Sequence, residues 1–308
     1  MALFLNTTNS WSLFSLFRER FHRSYESLRE FETRFGIFKQ NLEDIQNHNS
    51  KNHTFTLAVN QFADLTQSEF RDRLGVNLKS YQCQPYNISY LDLPDSIDWR
   101  EKGAVTSVKD QGQCGSCWTF SATGAIEGAW SISRGELLDL SEQELVDCAG
   151  VLYGSHGCNG GQMDGAFKYV IKYGQCGSNY SYTGKGGACQ PCDPVVKISS
   201  CYDVKPNDQI ALKTAVAQQP VAIAIEADTK YFQFYSSGIL TGVECGTNLD
   251  HGVLIVGYGT EDGKDYWTVK NSWSDTWGEN GYVRIGRSNL VNDSGICGIA
   301  MEASFPSV

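Results

Sequence analysis

Residues 111–120 read QGQCGSCWTF, two cysteines separated by Gly115 and Ser116 and followed by an aromatic pair. Such a pair can clamp zinc, cycle as a dithiol, or divide the work between one structural and one reactive sulfur. A second CxxC occurs at Cys189–Cys192, but 71 residues lie between the pairs, against about 15–20 in compact zinc modules. A redox dithiol calls for CxxC just after a strand, opening the helix of a βαβ unit. VTSVKD, ahead of this stretch, is a poor strand, and no such unit follows. The third possibility needs a base within reach of the thiol.

The chain has five histidines. His22, His48 and His53 fall in a leading helical region, and His156 sits in a glycine-rich loop beside Cys158, where a solvated or packing role is the simpler reading. His251 opens HGVLIVGYG (251–259), which GTEDGK joins to DYWTVKNSW (265–273). Asp262-Gly263 is a hairpin turn signal. Folding about it predicts His251 within a few residues of Asn271. An amide there can hydrogen-bond one ring nitrogen and leave the other outward, which orients a base for a thiol opposite.

Composition bounds the remaining possibilities. A length of 308 residues predicts about two domains, and ordinary apolar content excludes disorder. The apolar runs PVAIAI and VLIV are far shorter than the roughly 18 residues a membrane-spanning helix needs. Residues 1–92 balance ten basic with ten acidic groups, so residues 93–308 carry the whole net charge of −10. An acidic body argues against nucleic acid or membrane as partner. Ten of the 11 cysteines lie beyond residue 92, which predicts disulfides and oxidising assembly. Sequons at Asn6, Asn52, Asn87, Asn179 and Asn292 agree. MALFLNTTNS has no signal-peptide pattern, so a leader is expected to be absent or trimmed.

The first 80 residues read as helical. From Leu28, apolar groups recur at Phe31, Phe35, Phe38, Leu42 and Ile45, an amphipathic helix with Glu30 and Arg34 placed for an ion pair. TFTLAV reads as a short strand, Thr66–Glu69 as a capping box for a helix stopped by Gly75, and 76–92 as an extended linker. From Cys117 a buried helix is predicted, with Trp118, Ala122, Ala125, Ala129 and Ile132 inward; Ser141–Glu144 caps another. Residues 150–200 read as loops, and strands follow from 219. Helices first and strands later predict an α+β fold with segregated halves.

QGQCGSCW, LDHGVLIVGYG and KNSWSDTWG together resemble the papain and cathepsin L family of cysteine peptidases. The leading region resembles that family's inhibitory propeptide through Glu30, Arg34, Phe38, Asn41, Ile45 and Asn49, then Asn60, Phe62 and Asp64, with Ala58 where glycine is usual. The resemblance implies a propeptide over 1–92. It implies a papain-like body over 93–308, with a helical left half and a β-barrel-like right half. It further implies Cys117 as nucleophile, His251 as general base and acid, Asn271 as orienting amide, Gln111 as oxyanion donor and Trp273 as a shield. Cys117 would be a thiolate beside protonated His251. Cys114 would pair with Cys158, Cys148 with Cys189, and Cys245 with Cys297. Cys83, Cys176, Cys192 and Cys201 remain; an extra bridge among the last three is expected, with its partners open.

For substrate, the resemblance implies Gly115, Gly160 and Gly161 along a peptide-binding edge. Met163, Ala224, Leu249, Asp250 and Gly252 would line an apolar pocket with Glu302 at its floor. That position of Glu302 would let Arg compete with Leu or Phe; the alternative is that it points to solvent. Ser274 replaces the glycine that often follows NSW in the family. The expected function is an acid-activated endopeptidase with no cofactor or metal, cut near Leu93 after carboxylates such as Glu30 and Asp64 are protonated. Expected partners are peptide substrates, the chain's own propeptide and cystatin-like inhibitors, with a monomer located in lysosome or vacuole or secreted. The alternative is an inactive homologue acting as a binding protein.

Overall fold

The computed structural model describes residues 10–77, 83–87, 92–242 and 245–308. Asn6 and parts of the expected linker, 78–82 and 88–91, lie outside the described residues.

The leading region forms helices α1 (Ser10–Arg20) and α2 (Leu28–Asn49), strand β1 (Phe55–Leu57), helix α3 (Gln67–Arg71) and strand β2 (Gln84–Pro85). Helix α2 starts where its cap allows. Ser27 accepts the Glu30 amide, and Glu30 accepts the amide of Glu26 at 2.9 Å. Glu30 is thereby occupied as a cap. Arg34 pairs instead with Glu69 at 2.8 Å and donates to the Asp64 carbonyl, so the expected Glu30–Arg34 pair gives way to a tie between α2 and α3. Phe38, Leu42 and Ile45 are buried, and half-buried Phe31 and Phe35 pack on Phe14 of α1. The capping box Thr66–Glu69 is complete, but its helix ends at Arg71, short of Gly75.

The body follows with β3 (Ile97–Asp98), α4 (Cys117–Arg134), α5 (Glu142–Cys148), α6 (Met163–Tyr173), β4 (Ser200–Asp203), α7 (Gln209–Val216) and β5 (Val221–Ile225). It continues with α8 (Lys230–Gln233), β6 (Tyr235–Leu240), β7 (His251–Glu261), β8 (Lys264–Lys270), β9 (Tyr282–Gly286) and β10 (Ala303–Ser307). Three details depart from expectation. Helix α6 lies inside the stretch read as loop; it buries Met163, Ala166, Phe167 and Val170, a helical spacing masked by surrounding glycines and cysteines. Ile132 is exposed, so the buried face of α4 ends at Ala129. At α5, Ser141 accepts the Glu144 amide, but the Glu144 carboxylate turns away to the Cys176 amide and the Tyr169 hydroxyl.

The strands run in the order β1-β6-β9-β8-β7-β5-β10-β4-β2, with β3 on β7, an open path rather than a closed barrel. Both end strands of this path come from the leading region. One core centres on α4 and α6. The other joins Phe62 and Phe70 of the leading region to Trp273, Trp277 and Phe232 of the body. Phe62 and Phe70 each meet the Trp273 ring edge-on at 5.3 Å. Such pairs contribute about 0.5–1.5 kcal/mol each beyond burial. The exposed Arg71–Asp228 pair nearby adds less, roughly 0–1 kcal/mol. Aromatic packing is what seats the leading region.

Five disulfides form: Cys83–Cys201, Cys114–Cys158, Cys148–Cys189, Cys176–Cys192 and Cys245–Cys297. Among the described residues no helix is long and apolar enough to cross a membrane.

Ser274 has φ +67°, in the left-handed region. A β-carbon there costs about 1–2 kcal/mol, and glycine's extra unfolded-state freedom offsets roughly half of that. Ser274→Gly is expected to stabilise the chain by about 0.5–1 kcal/mol. A lower calorimetric midpoint than the parent's would contradict this assignment of strain.

Candidate active site

Cys117 is the first residue of α4 and the one free cysteine among the described residues; it is fully buried. Its sulfur lies 3.3 Å from the backbone nitrogen of Gly252, which donates to it. The approach is possible because Gly252 has no side chain; a β-carbon there would stand 3.2 Å from the Trp118 backbone. His251, one residue earlier, opens β7.

The hairpin then does what its turn chemistry predicts. Asp262 and Gly263 both take positive φ, β7 and β8 pair with Leu254 opposite Lys270, and Asn271 follows β8 directly. His251 Nε2 lies 2.8 Å from Asn271 Oδ1, which also accepts the Ser272 amide. Two donors on one oxygen fix the orientation of the Asn271 amide, so Nε2 carries the proton and Nδ1 is left free. His251 Nδ1 is buried with no hydrogen-bond partner. The Trp273 ring stacks on the His251 ring at 4.6 Å and covers it from one side.

Gln111 is held from both ends. Its Oε1 accepts from Ser272 Oγ at 2.6 Å, and its Nε2 donates to the carbonyls of Cys114 and Arg73 at 2.9 and 3.0 Å. Arg73 belongs to the leading region, which passes across the site. The Gly75 amide hydrogen-bonds to Cys117. The Gly75 carbonyl accepts from Gly161 N, Val76 N donates to the Asp250 carbonyl, and Asn77 N donates to the Gly161 carbonyl, each at 3.0 Å. Val76 and Gly161 pair in parallel. The Arg73 guanidinium donates to the Gly112 carbonyl and lies over Phe62; burial brings its pKa down to about 10.

Burial bears on the charge state. Burial pushes the Cys117 thiol up to about 11, against the opposing pull of the Gly252 and Gly75 amides, and brings His251 down to about 4, opposed by Asn271. Both shifts run toward the neutral forms, against the expected thiolate–imidazolium pair: burial, with Nδ1 unpartnered, disfavours either charge in this covered form.

The expected pocket residues divide. Met163, Ala224 and Leu249 belong to one buried apolar cluster, and Val76 packs against it. Gly160 takes φ +102°, and a β-carbon on Gly161 would meet the Trp118 ring at 2.6 Å. The Asp250 carboxylate accepts the Ala227 amide, and burial raises it to about 7. Glu302 does not close a buried floor. It is exposed, with its pKa raised by partial burial and then by Asp164. Sequence reasoning missed Ser272, which orients Gln111, and Gly75, read only as a helix stop. The signal for Gly75 was available: a glycine just after a propeptide motif, at a point where backbone must lie on backbone.

A β-carbon on Gly75 would fall 2.0 Å from the Gly115 carbonyl oxygen and 2.8 Å from its Cα. Neither atom can yield as a flexible side chain would. Gly75→Ala is expected to lift the cover and speed alkylation of Cys117 at neutral pH by about tenfold or more, the equivalent of 1.4 kcal/mol. An unchanged rate would show that the cover tolerates the clash.

Comparison with known proteins agrees with this arrangement. Residues 93–307 match the papain family cysteine protease profile, and residues 14–70 match the cathepsin propeptide inhibitor domain. The chain is 50% identical over 295 residues to Cysteine proteinase RD21A of Arabidopsis thaliana, covering 92% of this chain and 63% of that protein. It is also 50% identical over 291 residues to Probable cysteine protease RD21B of the same plant, covering 90% of this chain and 61% of that one. It thus spans less than two thirds of the length of these relatives. Digestive procathepsin L 3 of Tenebrio molitor larval midgut superposes with a TM-score of 0.90 at 42% identity, covering 98% of this chain and 100% of that one. The chain belongs to the papain family of cysteine proteases, with a cathepsin-type propeptide inhibitor domain ahead of the protease fold.

Proposed function

We propose that this chain is the inactive precursor of a cysteine endopeptidase whose nucleophile is Cys117. The observation that carries the reading is the convergence of one unbridged sulfur, an imidazole with a free buried Nδ1, and an amide that fixes the other ring nitrogen. Once uncovered, the thiol passes its proton to His251, and the helix N-terminus together with the new imidazolium favours the thiolate. The thiolate attacks the peptide carbonyl. Gln111 Nε2, freed from the Arg73 carbonyl, and the Cys117 amide receive the developing oxyanion. His251 protonates the leaving amine, then activates water to release the acyl group. Trp273 keeps water from the His251–Asn271 hydrogen bond.

The cover inhibits by direction as well as by bulk. It pairs in parallel with Gly161, whereas a substrate running the opposite way would pair antiparallel along Gly160–Gly161 and present its carbonyl to Cys117. Gly115 and Gly252 leave room for such a backbone. Met163, Ala224, Leu249 and the Asp250 backbone would take the apolar residue whose place Val76 now holds. The released enzyme is proposed to be a monomer open to cystatin-like inhibitors, in a lysosome, vacuole or extracellular space.

Acid would open the cover through Glu69 rather than through the dyad, since passing the thiol proton to His251 on uncovering leaves one proton on the pair in both forms. Glu69, held below its ordinary 4.5 by Arg34, adds a contribution present above that value and lost at lower pH. Asp203 and Asp250, each raised to about 7 mainly by burial, carry the opposite sign and temper the loss. Glu69 thus replaces Glu30 and Asp64 as the proposed acid-sensitive group.

Incubation below about pH 4.5, where the Glu69 contribution is lost, is expected to yield a shorter species cut near Leu93 that cleaves fluorogenic peptides and takes an epoxide inhibitor on Cys117, as located by peptide mapping. Cys117→Ala should abolish both activity and label. A cleaved, folded species that takes no label would sink the proposal. For Glu302, exposed at the pocket's edge, Glu302→Ala is expected to lower turnover of an Arg-Arg substrate severalfold relative to Leu-Arg; equal losses would return it to a solvent-facing role.

A further inference from the structure

Cys83 is the single cysteine among the first 92 residues, and it is bonded to Cys201 on β4 of the body, with Cα atoms 5.2 Å apart. Both partners are buried, 8% and 4% exposed. The residues that follow are built into the sheet. Gln84 and Pro85 pair in parallel with Tyr202 and Asp203, the Tyr86 amide donates to the Asp203 carbonyl, and the Tyr86 ring meets Phe305 edge-on at 5.0 Å. The Cys83 amide hydrogen-bonds the Asp164 and Asp203 side chains. Upstream, Val76 and Asn77 lie on Asp250 and Gly161. The inhibitory stretch over Cys117 is therefore tied to the body by a covalent bond a few residues away, independently of the peptide link through Leu93.

We propose that the Cys83–Cys201 disulfide is a second lock on the precursor: a cut near Leu93 severs the chain but leaves the cover attached, and release requires reduction of this bond by a dithiol. The inference rests on the reading of residues 73–77 as an inhibitory cover and adds a redox requirement to it. A tethered segment keeps an effective concentration near its site in about the millimolar range, so each opening is followed by return. Reduction ends that. A thiolate of the dithiol attacks one sulfur to give a mixed disulfide, and its second thiol displaces the protein sulfur. Cys83 and Cys201 leave as thiols carrying the reductant's two protons, and the reductant becomes the cyclic disulfide, a two-electron exchange. The chemistry also fits the site, since thiol-dependent Cys117 would be uncovered only where reducing equivalents are present to keep it reduced.

The test uses the full chain with a site-specific protease sequence placed within residues 88–92, cut under non-reducing conditions and acidified. Retention of the leading segment is read by size exclusion and non-reducing mass analysis, neither of which depends on catalysis. The cut parent should keep its segment and lose it on adding dithiothreitol, with thiol mapping locating new thiols at Cys83 and Cys201. The Cys83→Ser, Cys201→Ser double variant should lose it without reductant, and its Cys117 should take an epoxide about a hundredfold faster. Loss of the segment from the cut parent without reductant would overturn the proposal. So would retention by the folded variant as firm as the parent's. If the variant does not fold, the parent with and without dithiothreitol decides alone. A segment that leaves only on reduction while Cys117 remains unlabelled would uphold the lock and count against the peptidase reading instead.

Discussion

The contact around which the site is arranged is that of the first turn of α4 with the start of β7, where the Gly252 amide donates to the Cys117 sulfur and a β-carbon on Gly252 would sit tightly against the Trp118 backbone. Gly124, about two turns further along α4, allows the same closeness, since a β-carbon there would meet Leu254 at 2.7 Å. Helix α4 and strand β7 thereby bring Cys117 beside Gly252, the residue that follows His251. The proposed nucleophile is delivered by a helix terminus and the proposed base by a strand terminus, while the amide that orients the ring comes from the far arm of the same hairpin.

The covered form shows how a site built for charge separation is kept neutral. The leading segment brings no neutralising counter-ion to Cys117; it brings backbone. Gly75 lies on Gly115, the Arg73 carbonyl occupies Gln111, and both Cys117 and His251 are fully buried. Burial then pushes both groups toward their neutral forms, against the hydrogen bonds that favour the ions. The proposed autoinhibition would block access and disfavour the ionised pair at the same time.

Much of this was legible in the chain because it is encoded locally. The Asp262-Gly263 turn starts the pairing that brings His251 to Asn271, with a one-residue register shift between Ile255 and Gly257, and the 3.6-residue period of α2 and α4 marks their buried faces. What escaped reading depends on partners distant in sequence. Arg34 chooses Glu69 over Glu30 because Glu30 is already committed to capping. Helix α6 carries its period openly, but the glycines and cysteines around it read as loop. The partner of Cys83 lies 118 residues away and is set by tertiary pairing of β2 with β4, which no local pattern announces. Glu302 fell at the expected position along the chain, yet its exposure is a property of how the neighbouring surface closes.

The two terminal strands of the sheet, β1 and β2, both belong to the leading region. Their release, under the proposed processing, would uncover the flank of β6, where Gly238 now lies so near Thr54 that a β-carbon would meet its carbonyl at 2.4 Å, and the flank of β4 at the other end. Bare flanks offer rows of unsatisfied amides and carbonyls to any passing extended polypeptide. Under the proposed processing the released body would carry two such flanks, which the leading residues occupy in the uncut chain.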